Sequence, residues 1–77
     1  MFDYSKLIGR IIEKFGSRGA FAAAYGISDV AMSKKLCGHI KISTSDIIKM
    51  SAPDMLDIKP MEYHEYFFKL KVQEVEQ

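Results

Sequence analysis

Residues 24–38 read AYGISDVAMSKKLCG, and the fold turns on this stretch. Gly26 can supply a left-handed turn, Ser28 is a helix N-cap, and Gly38 is a stop. Ile27 before the cap and Met32 at the fourth helical position have the spacing of a hydrophobic staple. Between the cap and the stop, Met32 and Leu36 lie one turn apart and face a core. Val30, Ser33, Lys34 and Cys37 then occupy the far side, with Ser28 and Asp29 at the leading tip.

Upstream, Ser17 caps a short helix predicted over Arg18–Tyr25, whose Phe21, Ala22 and Tyr25 point inward. Ala22 is small enough to let the two helices cross closely, so residues of about 17–38 read as a helix-turn-helix. Before it, Asp3 caps a first helix with the stripe Leu7, Ile8, Ile11, Ile12 and Phe15, ended by Gly16. After it, Ser43 and Asp46 form a capping box and Ile42 staples onto Ile47, opening a fourth helix that must stop near Ala52 because Pro53 follows.

Pro60 suits the first turn of a fifth short helix running to about Phe68 and carrying Met61, Tyr63, Tyr66, Phe67 and Phe68. The alternation Lys69-Leu70-Lys71-Val72, with Val75 out of register, fits either a short strand or a frayed tail. The sum is an all-α bundle of about five short helices in a single domain, residues 1–77. A 77-residue chain that is 48% apolar has length for one small core. One cysteine allows no internal disulfide, so helix packing must hold the fold, in keeping with a reducing cytoplasm.

Ala20–Tyr25, the longest apolar run, is far below the roughly 20 residues of a membrane span, so no membrane partner is expected. Cys37 and His39 lack enough companions to make a zinc site, since the other histidine, His64, is distant. No nucleophile elbow, phosphate-binding glycine loop or zincin motif is present, so neither an enzyme nor a cofactor is expected.

The net charge of +1 is low for a polyanion binder, but it is unevenly spread. Residues 1–49 hold eight basic side chains against four acidic ones, and residues 50–77 hold three against six. Such a split suits a front that meets phosphates, although solvated surface charge produces it equally well.

The spacing from Ala22 through Gly26, Ile27, Ser28, Met32, Ser33, Lys34 and Leu36 to Gly38 resembles the phage-repressor and Cro class of helix-turn-helix proteins. FDYSKLIGRIIEKFG at residues 2–16, the helix of 42–50, EYFF and KVQ extend the likeness to small phage-associated, XRE-like regulators. The chain departs from that group in carrying Arg18 where members often have glutamine, Cys37 where they have asparagine, and Pro53 where they have an uninterrupted leucine-rich fourth helix. The resemblance implies a lambda-repressor-like DNA-binding fold and a regulator of transcription that occupies double-stranded operator DNA as a homodimer. It implies base readout by Ser28, Asp29, Val30, Ser33 and Lys34. Position adds expected phosphate contacts: Ser17 and Arg18 begin a helix whose N–H groups attract an anion, His39 and Lys41 follow the recognition helix in a loop beside the DNA backbone, and Lys35 flanks the same surface.

Asp29 divides the expectation. As a base reader it accepts from cytosine N4; as a structural residue it sits favourably at the positive end of its helix. The carboxylate and the low net charge also fit a second function, an antirepressor-type module that pairs with another phage repressor. The aromatic residues of about 60–75 are expected mainly in the core, with part of the set, Leu70 and Val72 forming a subunit contact.

Overall fold

The computed structural model describes residues 2–70, and it is all-α. Helices α1 (Ser5–Phe15), α2 (Arg18–Tyr25), α3 (Asp29–Leu36), α4 (Thr44–Ser51) and α5 (Tyr63–Phe67) follow in order, with a 3-10 turn at Pro60–Glu62 leading into α5.

The helix ends follow from local chemistry. Ser17 Oγ accepts from Ala20 N at 3.1 Å and Ser28 Oγ from Ala31 N at 3.0 Å, each satisfying a donor that the first helical turn leaves unpaired. Ser43 and Asp46 form a complete capping box at α4. Gly26 closes α2 at φ 98°, a left-handed conformation in which a β-carbon is strained. Ala52 ends α4 in extended geometry ahead of Pro53.

Two ends differ from expectation. Tyr4 occupies the N-cap position of α1, and Asp3, one residue earlier, accepts the Ser5 N–H at 2.9 Å instead. The fifth helix divides into the 3-10 turn and the five-residue α5, because the chain enters it from the proline-fixed turn.

Phe21, Phe67, Leu7, Ile11, Met32, Met50 and Leu56 form the fully buried centre. Burying each of them is worth roughly 1.5–3 kcal/mol. Met32 and Leu36 key α3 into this core, which forces the opposite flank of α3 outward. Leu56 and Ile58 join the core from the irregular stretch after α4, held by Arg10: its Nε donates to the Leu56 carbonyl at 2.9 Å and a terminal nitrogen to that of Asp57 at 3.0 Å.

Some apolar residues lie outside the core. Ile12 is about half exposed at the edge of the α1 stripe, Met61 is almost fully exposed, and Phe68 is exposed while Tyr66 and Phe67 are buried. Leu70 makes an antiparallel bridge to Phe2, and Asp3 N donates to the Lys69 carbonyl at 2.7 Å. No strand forms among the described residues, and Val72 and Val75 lie outside them.

Candidate functional site

Because Met32 and Leu36 point inward, the outer flank of α3 carries a shallow depression. Asp29, Val30, Ser33, Lys34, Cys37 and His39 line it. Four of the five positions expected to read bases are thus gathered on one surface, and the fifth, Ser28, stands at its tip with its hydroxyl committed to the cap. Val30 is 64% exposed.

The residues expected at phosphates disperse. Ser17 and Arg18 begin α2, exposed, and His39 stands at the far end of the depression. Lys41 is also exposed; it lines a second groove with Phe2, Ile40, Ile42 and Phe68, and His39 lines that groove too. Lys35 turns inward: its Nζ lies 2.9 Å from Asp46 Oδ2, with only 16% of the side chain exposed. One residue rotates the helix by roughly 100°, and that step carries Lys35 away from Lys34 and towards α4.

Asp46 is the acceptor at the centre of this joint. Burial by itself would push its carboxyl up, yet hydrogen bonds from the Tyr25 hydroxyl, Lys35 and Ser43 hold it well below the usual carboxylate range. Tyr25 moves the opposite way: burial first, then its hydrogen bond to Asp46, pushes the phenol well above its ordinary value. Lys49 completes the joint, donating to the Tyr25 carbonyl at 2.8 Å while its ammonium sits 4.2 Å from the Tyr25 ring centroid. The sequence marks Asp46 as a local cap; its links to Tyr25 and Lys35 are tertiary and leave no signal in spacing.

Asp29 also has a neighbour that sequence spacing does not reveal. A methyl group on Gly19 would lie 3.8 Å from Asp29 Oδ2 and 4.0 Å from Ser17 Oγ, so the carboxylate rests against the first turn of α2. The accessible chemistry of this face is therefore one carboxylate, one valine, one lysine, a serine, a thiol and an imidazole. It can bind by contact and charge. No group of three or more His, Cys, Asp or Glu side chains arranged to hold a metal occurs among the described residues, nor does any helix there have the length and apolarity to cross a membrane.

The chain belongs to the family described as "Protein of unknown function (DUF739)", whose model matches residues 1–70. A search of curated proteins finds no match. Among solved structures, the chain is similar to the solution structure of the modulator of repression (MOR) of the temperate bacteriophage TP901-1 from Lactococcus lactis. The two share 36% sequence identity with a TM-score of 0.78, and the match covers 94% of this chain and 95% of that one.

Proposed function

We propose, from membership of this family and the face just described, that the chain is a phage regulator that modulates repression by pairing with a repressor protein. One observation carries the reading: the likeness to a modulator of repression extends over 94% of this chain at 36% identity. The α3 face supports it. An exposed Val30 flanked by Asp29 and Lys34 mixes apolar contact with both signs of charge, which suits a protein surface better than a uniform polyanion.

A second reading, direct occupation of operator DNA by a homodimer, is favoured by the joint presentation of Val30, Ser33 and Lys34 on an outward helix flank. Lys34 can donate to guanine and Val30 can pack on a thymine methyl. Both readings are binding functions without a chemical step.

A gel shift with DNA flanking the chain's own gene, run with and without the neighbouring repressor, separates them. Relief of the repressor's shift is the result expected from pairing. A direct shift by the chain alone, with the repressor's shift unaffected, overturns that reading in favour of operator binding.

A further inference from the structure

A second surface adjoins the α3 depression, and His39 lines both. It is a groove of about 480 Å³ that residues 38–42 share with Phe2, Tyr4 and Phe68. Ile42, Ile47 and Phe67 are buried beneath it, while Phe2, Ile40 and Phe68 stay 40–41% exposed along it. With Leu70, which is bridged to Phe2 and more exposed still, these side chains leave apolar surface on the order of 300–400 Å² open to water. Exposed apolar surface of that extent on a monomer is often functional. It is also less than half of the roughly 800 Å² that each partner gives to a standard interface, so the groove suits a short segment better than a second copy of the chain.

The charge beside the groove has one sign. Lys41 lines it and is exposed, and among the described residues no acidic side chain lines it. The complementary occupant therefore carries apolar side chains together with carboxylates, whereas duplex DNA offers the charge without the apolar part. We propose that this groove docks a short extended segment of alternating apolar and acidic residues, supplied by the repressor that pairs through the α3 face. An extended chain turns successive side chains to opposite faces, so the apolar set enters the groove and the carboxylates stay in water within reach of Lys41. The two surfaces meet at His39, which lets one partner span both. The identity of the partner rests on the pairing reading; the preference for an acidic, apolar segment rests on the groove alone.

The probes are two fluorescein-labelled hexapeptides, one alternating leucine with glutamate and the other leucine with lysine. Each is titrated by anisotropy against the full chain as wild type, Lys41→Glu, Ile40→Ser and Phe68→Ser, with circular dichroism to verify helicity. Wild type is expected to bind the glutamate peptide about tenfold more tightly than the lysine peptide at low salt, and the preference should shrink as salt rises. Lys41→Glu is expected to reverse the preference, and Ile40→Ser and Phe68→Ser to weaken both peptides. A wild type that binds the two peptides equally, or binds neither, overturns the proposal. Displacement of the glutamate peptide by a random-sequence duplex also overturns it, giving Lys41 to phosphate. Tighter binding of both peptides by the full chain carrying Val72→Ser and Val75→Ser overturns it in favour of residues 71–77, and self-association abolished by Ile40→Ser overturns it in favour of a second copy. Calorimetry with the neighbouring repressor supplies the remaining comparison, in which Lys41→Glu is expected to weaken pairing about threefold to fivefold. If wild type and Lys41→Glu pair equally well, the docking proposal falls and the pairing reading stands. If the peptide preference holds but wild type does not pair with the repressor, the pairing reading falls and the groove keeps its assigned chemistry.

Discussion

The Lys35 ammonium and the Asp46 carboxylate meet at 2.9 Å across the joint between α3 and α4, with 16% and 14% of their side chains exposed. The same carboxylate accepts the Tyr25 hydroxyl from α2, so one side chain ties three helices together. The orientation of the outward α3 flank depends on this tie as well as on Met32 and Leu36. Lys34 and Lys35 are adjacent in sequence but have different tasks, the first facing solvent and the second bracing the fold.

Asp46→Asn is expected to lower stability by about 1–3 kcal/mol near neutral pH, since it weakens the charged partner of Lys35 and disturbs the capping box. The folded-state value of Asp46 lies below its unfolded value, so its contribution is present in full above about pH 4 and fades as the pH falls towards the folded value. Urea denaturation from pH 7 to pH 3 checks this. The difference between wild type and variant should narrow on acidification; a constant gap contradicts the assignment.

Arg10→Ala is expected to cost about 1–3 kcal/mol, because the part-buried carbonyl of Leu56 loses its donor and the stretch carrying Leu56 and Ile58 loses its clamp. Arg10→Lys should recover only part of the loss, as an ammonium cannot reproduce the two-point guanidinium geometry. Thermal unfolding of both variants gives the comparison.

How far the sequence disclosed these features depends on the range of the interaction. Ser17, Ser28, Gly26 and the Ser43–Asp46 box act within one turn, so α2, α3 and the start of α4 are legible from residue type and spacing. The stretch 54–58 is not. Leu56 and Ile58 are too few to show a period, and their burial depends on Arg10, 46 positions away from Leu56. The site divides in the same way: helical periodicity finds Val30, Ser33 and Lys34, while the inward turn of Lys35 and the contact of Asp29 with α2 depend on how the helices pack. Asp3 shows the finer limit, since it bonds the first turn of α1 from one position before the cap.

If the chain pairs with a repressor through the α3 face, as proposed, Val30→Glu is expected to weaken that pairing at least tenfold, as an exposed apolar side chain becomes a second negative charge beside Asp29. The residue is 64% exposed, so thermal stability should change by no more than about 0.5 kcal/mol. Loss of stability alongside loss of binding would assign Val30 to the core. Calorimetry and a melting curve on the same preparation decide it.

Ser51→Ala is expected to leave stability unchanged or raise it by about 1 kcal/mol. Ser51 is 4% exposed and its hydroxyl has no hydrogen-bond partner among the described residues, so removing the oxygen removes an uncompensated burial cost. A urea midpoint lower than that of wild type contradicts this.

Cys37 is exposed and lines the α3 depression, and it is the sole thiol of the chain. A maleimide dye therefore labels one known spot without any engineered residue. Its emission would respond when a macromolecule covers that spot, giving an optical reporter of occupancy that works alike for a protein and for a nucleic acid.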